Sequence, residues 1–214
     1  MSDIAQLKVL NAALAALGNE PLADLTAASI QRSGAAQKLL RSVELSRDTV
    51  LGRHGWTCAL EYTVLTPSAA PAGSWKYPWQ YLAPNGCLLV WEIEGVQFNG
   101  EATCWEPRWQ VGTLDTDLGA RHLIRSRDQI DSLNIAYVRT CSWGALTPHL
   151  VDAIGFELAG RCCYSINGDQ GAAARLANAG EKKILLAISV EGTQEGGQAP
   201  LAPSIPQMIR NYSR

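Results

Sequence analysis

The sequence predicts an α+β protein: a mainly α-helical bundle of about four helices, an inserted antiparallel β subdomain and an extended C-terminal arm. Three observations predict it. Apolar residues recur near the helical period on both sides of the chain's middle third. That middle third changes to short β-rich runs broken by Pro and Gly. The residues after Val190 are first polar and glycine-rich, then proline-rich. The predicted divisions are 1–56 with 145–190 for the helices, 57–144 for the β insertion and 191–214 for the arm.

In the first helix Ile4, Leu7, Leu10, Leu14 and Leu17 share a face, Ser2 or Asp3 can cap the start, and Gly18 suits the left-handed position past its end. Pro21 then fixes a reversal, and a turn leads to Thr26. Ala36, Leu39, Leu40, Val43, Val50 and Leu51 supply the stripe of a second helix ending by Gly52 or Gly55, with Gly34 weakening its first turns. Strand-like runs follow at 62–66, 87–93, 97–98, 103–105, 108–111, 122–124 and 135–138. Strict alternation along 87–93 would put Leu88, Val90 and Glu92 on one side and Leu89, Trp91 and Ile93 on the other. Two apolar faces imply packing on both, or a subunit contact.

Helices return at Thr147-Pro148, an N-cap followed by proline at the first helical position. Leu150, Val151, Ile154, Leu158 and Cys162 form one stripe up to Asn167-Gly168. A last helix is expected from Asp169 to about Ile188, with Ala173, Leu176, Gly180, Ile184 and Ala187 on its face. Side chains that small permit close helix approach. Beyond it, Pro200, Pro203 and Pro206 recur every third residue, a spacing that aligns them along one edge of a polyproline II helix and puts Ala202, Ile205 and Met208 along another.

Composition narrows the chemistry. The chain has 214 residues, a formal charge of −2 and interspersed acids and bases, so no strong footprint for nucleic acid or an anionic membrane stands out. No run of about 18 apolar residues occurs, and the start lacks a basic segment leading into an apolar one, so cytosolic synthesis is expected. The six cysteines show no C-x-x-C spacing and are expected as reduced, mostly buried thiols. His54, His122 and His149 are scattered; no metal and no cofactor is expected. No nucleophile elbow, P-loop or dinucleotide fingerprint is present, and the chain is not expected to be an enzyme.

Two features invite a functional reading. Six of the seven tryptophans fall between Trp56 and Trp109, and Trp75, Tyr77, Trp79 and Tyr81 cluster with Trp91 downstream. These five are the candidate subunit interface, because Trp and Tyr are enriched at protein contacts, with a subdomain core as the other expected use of the stretch 75–81. The alternative is a carbohydrate- or nucleic-acid-binding platform on residues 75–81, although only Lys76 lies close enough to serve a phosphate. The second feature is the arm, whose apolar and proline residues Pro200, Pro203, Ile205, Pro206, Met208, Ile209 and Tyr212, with the cations Arg210 and Arg214, suit a segment that orders on a partner. Arg121, Arg125, Arg127 and Arg139 sit among Asp115, Asp117, Asp128 and Asp131, and read as a solvated mixed-charge surface.

The order of these events resembles the tail tubular protein A family of head-to-tail adaptors from tailed bacteriophages and gene transfer agents. The residues that carry the resemblance are Leu10 to Leu22 with their Gly18 and Pro21, the helix that follows, Gly55-Trp56, and Tyr81-Leu82-Ala83-Pro84. It covers mainly residues 4–93; after Ile93 the likeness is one of layout. The resemblance implies a structural virion protein at the head–tail junction, made in the bacterial cytoplasm. It would form a ring, twelve subunits in number, that docks through its C-terminal arm on a portal protein above. A nozzle, stopper or tail-tube protein would bind below, with DNA passing through the lumen unread and no membrane involved.

Overall fold

A computed structural model describes residues 2–69, 76–94, 96–97, 109–116 and 119–194. It is a mixed α+β structure with helices at both ends of the described chain and two antiparallel sheets between them. The arm residues Pro200, Pro203, Ile205, Pro206, Met208, Ile209, Arg210, Tyr212 and Arg214, as well as Trp75 and the strand expected at 103–105, lie outside the described residues.

Helix α1 (Ser2–Ala16) ends as its glycine requires. Gly18 adopts φ +73°, its N–H reaches Ala15 O, and Asn19 N reaches Leu14 O, the paired bonds that satisfy a helix's last carbonyls. Asn11 clamps the reversal that follows: its amide donates to Leu22 O at 3.0 Å and its oxygen accepts from Leu22 N at 2.8 Å. The second predicted helix is two. Thr26 caps α2 (Ala27–Arg32), the chain breaks at Ser33, and the Ser33 hydroxyl caps α3 (Gly34–Leu51) through Ala36 N. The weakness expected at Gly34 is therefore a helix start, because a capping serine directly before it satisfies a free N–H.

Strands β1 (Leu60–Leu65), β2 (Ser68–Ala69), β3 (Trp79–Leu82), β4 (Cys87–Ile93), β5 (Val96–Gln97), β6 (Trp109–Thr116), β7 (Gly119–Ser126) and β8 (Leu133–Arg139) follow. They form two sheets where one was expected, ordered β1-β8-β4-β5 and β2-β3-β7-β6. The split follows from β3, a strand hidden in the sequence by the prolines on either side, which pairs with β7 and draws β6 and β2 into a second layer.

The alternation expected in β4 also fails. Val90 faces Tyr137 and Glu92 faces Ala136, so Trp91 is the extra residue of a bulge, and Ile93 turns to the same side as Val90. Between the sheets lies one core, built on Leu65, Tyr81, Val90, Ile124, Leu133 and Ile135. The other face of the first sheet is applied to the helices through Leu60, Leu89, Trp91 and Val138.

A 3-10 turn (Trp143–Ala145) leads to α4 (Pro148–Asn167), capped by Thr147 and closed by Gly168 at φ +70°. Helix α4 is the axis of the helical body, packing on α1, α3 and α5 (Gln170–Gln194). Its contacts depend on small residues. A Cβ at Gly155 would stand 2.7 Å from Ala12 Cβ, and one at Gly160 would stand 3.1 Å from Ala177 N. The last helix outruns its expected end near Ile188 and reaches Gln194, the last described residue. Glu191 is buried and its carboxylate accepts from Thr57 N, so this residue belongs to the folded body.

Candidate functional site

Four of the five residues chosen as a subunit interface are described, and their environments separate them. Tyr81 is fully buried between the sheets, where its hydroxyl donates to Ile130 O at 3.0 Å and accepts from Ile130 N at 2.9 Å. A side chain enclosed by its own fold offers nothing to a neighbour, and Tyr81 leaves the interface assignment. Trp79 packs on the same core, and Tyr77 is half-buried beside it in sequence. The stacking platform considered for 75–81 loses Tyr81 to the same burial. Trp91 is half-buried, its indole pressed on Gly55, where a Cβ would fall 2.5 Å from the ring.

That indole belongs to the joint between the helical and β bodies. Trp56 is fully buried and donates from Nε1 to Val50 O at 3.1 Å, while His54 meets the Trp56 and Trp91 rings edge-on at 5.0 and 4.8 Å. Arg139 N bonds to Ala59 O, which extends the β1–β8 ladder to the point where the chain passes between bodies. One residue before Ala59 and two after Arg139 stand Cys58 and Cys141, with sulfurs 4.0 Å apart. Around Cys141 are the buried Arg47, paired with Glu44 and Asp48 and lying 4.8 Å over the Trp143 ring, and Thr140, which donates to Asp48 at 3.1 Å.

The electrostatics of the two thiols diverge. The hydrogen bond shared with Cys58 draws the Cys141 pKa below the ordinary thiol value, with Arg47 adding to the effect and burial opposing it. Cys58 moves upward, first because of the same hydrogen bond and then because of burial. Burial alone pushes Cys87 up to about 12. From the core between the sheets the Tyr137 hydroxyl donates to the exposed Glu61 at 2.7 Å and holds that carboxylate below its usual range. Burial and this carboxylate raise Tyr137 to about 12.

The arginines considered for phosphate are partly spoken for. Arg121 donates to Ala83 O, and Arg139 pairs with Glu61 at 3.4 Å. His122 Nε2 lies 3.2 Å from Leu88 O, and His149 is exposed. Among the described residues no group of three or more His, Cys, Asp or Glu side chains is placed to hold a metal ion, and no helix is long and apolar enough to cross a membrane. A cleft of about 520 Å³ between α1 and the start of α4 is lined by Ile4, Ala5, Leu146, Pro148 and Val151, with Lys8 and Asp152 as its charged members. Such a lining offers apolar contact more than converging polar groups.

Apolar side chains are also exposed elsewhere, singly at Leu45, Leu114 and Tyr164 and as neighbouring pairs on each of the two bodies. On β1, Tyr62 and Val64 are 75% and 55% exposed; on α5, Leu185 and Leu186 are 53% and 48% exposed. Tyr62 and Val64 stand on the face that Leu60 uses to reach the helices, at positions the helical body does not cover. Sequence reasoning missed both pairs, as well as Asn11, Arg47 and the Cys58–Cys141 pair. The thiols had a signal: each borders one end of the β insertion, and pairing its first and last strands brings those ends together.

No family model matches the chain, and no curated protein matches it.

Proposed function

We propose that this protein is a head-to-tail adaptor subunit, an interfacial and mechanical component of a virion that assembles into a ring on a portal protein. A helical bundle carries the inserted β body in this reading, and no catalysis is assigned. Its origin is the resemblance of residues 4–93 to the tail tubular protein A family. The structural observation that supports it is that two neighbouring apolar pairs, Tyr62 with Val64 and Leu185 with Leu186, are uncovered on different bodies of one chain, beside the single exposed residues Leu45, Leu114 and Tyr164. A closed ring needs two unlike surfaces that meet around an axis, whereas a two-fold dimer needs one surface that meets itself. The mixed charges of the chain suit passage of DNA better than its retention.

The contact is tested by placing charge on each patch separately, with Tyr62→Glu/Val64→Glu in one variant and Leu185→Glu/Leu186→Glu in the other. The native protein is expected to form rings, alone or on its portal, in mass photometry and negative stain. Either variant alone should remain monomeric. Their mixture should give a discrete dimer, since each supplies the surface the other lacks. A native protein that stays monomeric with the portal present overturns the adaptor reading. Rings of native size from either variant overturn the assigned contact. Removal of 195–214 should preserve the helical signal and abolish portal association; unchanged portal binding would remove the arm from the reading.

A further inference from the structure

We propose that Cys58 and Cys141 form a redox latch at the neck between the helical and β bodies, with Cys141 as the residue that reacts with low-molecular-weight disulfides and Cys58 as the one that resolves the adduct. The proposal stands on position. The first and last strands of the insertion pair with each other, Leu60 opposite Val138, and Arg139 N bonds to Ala59 O just beyond. Cys58 lies in the turn that enters β1, closed by Ala59 N on Trp56 O, and Cys141 follows β8, with their sulfurs 4.0 Å apart. A disulfide needs sulfurs about 2.05 Å apart. Rotation of the two side chains toward each other is the movement that would close the difference, with the flanking ladder held in place.

The surroundings assign the two roles. Cys141 shares its flank with the Arg47 guanidinium, which favours a thiolate; Asp48, held by Thr140, opposes that influence weakly. Cys58 follows Thr57, whose N–H is taken by the Glu191 carboxylate, and that negative charge disfavours a second thiolate beside it. A thiolate is the attacking species in exchange, so the partner with cationic support attacks first. Cys162 and Cys163 are buried in the helical core, and burial holds the Cys87 thiol up at about 12. Both neck cysteines are half-buried, unlike Cys162 and Cys163.

The chemistry balances with a disulfide such as oxidised glutathione as oxidant. The Cys141 thiolate attacks one sulfur of the reagent, the reagent's S–S bond breaks, and one glutathione thiolate leaves. Cys58 then loses its proton and attacks the Cys141 sulfur of the mixed disulfide. A second glutathione leaves and takes up a proton. Two protein thiols become one protein disulfide, and one oxidised glutathione becomes two reduced molecules. The product bridges the two crossings of the neck and closes an 83-residue separation covalently.

The test exposes the full chain to oxidised glutathione at neutral pH under native conditions, then reads intact mass and maps linked peptides. The native protein should lose the mass of two hydrogens and give a single 58–141 cross-link, reversed by dithiothreitol. Cys58→Ser should instead hold one glutathionyl group on Cys141, formed at least about tenfold faster than any adduct on Cys87. Cys141→Ser should leave Cys58 unmodified over the same period. The oxidised native chain should melt several degrees higher than the reduced one, a gain that Cys58→Ser lacks. A native chain that stops at a mixed disulfide, forms its first adduct at another cysteine, or stays unmodified under these conditions overturns the latch. The native-chain map needs neither variant to fold.

Discussion

The helical and β bodies keep their order by opposite means. The helices approach each other where side chains are almost absent: Gly155 against Ala12, and Gly160 and Gly180 between α4 and α5. The sheets enclose large aromatic residues and anchor their polar ends, as Tyr81 does with both backbone groups of Ile130 and Tyr137 with Glu61. One body is therefore sensitive to added atoms and the other to lost hydrogen bonds. Trp56 stands where they join and depends on both, since its ring is enclosed and its N–H is taken by Val50 O.

The largest effect is expected at that joint. Trp56→Ala should cost about 3–5 kcal/mol, chiefly through the cavity left behind, since Val50 O keeps the bond from Arg53 N when the indole is lost. Denaturant titration measures it, and a loss near 1 kcal/mol would show that the joint is held elsewhere. Next comes overpacking of the helical body: Gly155→Val should cost about 3 kcal/mol, because α1 must retreat from α4. A neutral result would mean that the close approach is adjustable and the contrast between the bodies false.

In the β body, Tyr81→Phe keeps the ring and removes one oxygen. We expect a loss of about 1–2 kcal/mol with Ile130 N–H deprived of its partner, and faster hydrogen exchange at that amide. The smallest effect belongs to the bond from the buried Tyr137 to Glu61, whose carboxylate stands exposed on the edge strand β1. Glu61 has a folded pKa below its ordinary 4.5, so its contribution is present above that value and disappears as pH falls through the folded value. Tyr137, raised from 10.0 to about 12, contributes below pH 10 and loses that contribution as pH rises to about 12. Tyr137→Phe should flatten both limbs of stability plotted against pH, read as denaturation midpoints; unchanged limbs would locate the shifts elsewhere.

The same contrast explains what the sequence disclosed. Helix ends are local events, set by Gly18, Thr26, Thr147 and Gly168 within a few residues of where they act, and they were legible. Ser33 was equally local, yet the wrong feature, Gly34, drew attention. Sheets are long-range objects. Nothing near Trp79 announces that it will pair with Ser126, and the bulge at Trp91 is fixed by the register of β8, some 45 residues away. Proline on either side of β3 suppressed the strand signal while leaving four residues free to pair.

The site was less legible than the fold for a related reason. An aromatic residue's type tells how much surface it can bury and says nothing of whether its own chain or another buries it, so Tyr81 looked like surface and proved to be core. The exposed pairs on β1 and α5 were the reverse, ordinary apolar residues that a periodic pattern assigns to the interior. Glu191 shows the limit of composition as a guide: its buried contact with Thr57 N lies inside the last helix, within sequence that reads as a tether.

Because the insertion begins and ends on adjacent strands, its two ends meet the helices at a single place. Descent can therefore lengthen, trade or discard that whole unit as one cassette, provided the two junction points stay a strand's width apart. Helices α1, α3, α4 and α5 would keep their order and their mutual geometry throughout. The apolar groups Leu60, Leu89, Trp91 and Val138 are the stub that any replacement must cover. Relatives of this chain should accordingly diverge in size and sequence between positions 60 and 138 while the flanking helices keep a common length, and a laboratory graft should be designed at the same two points.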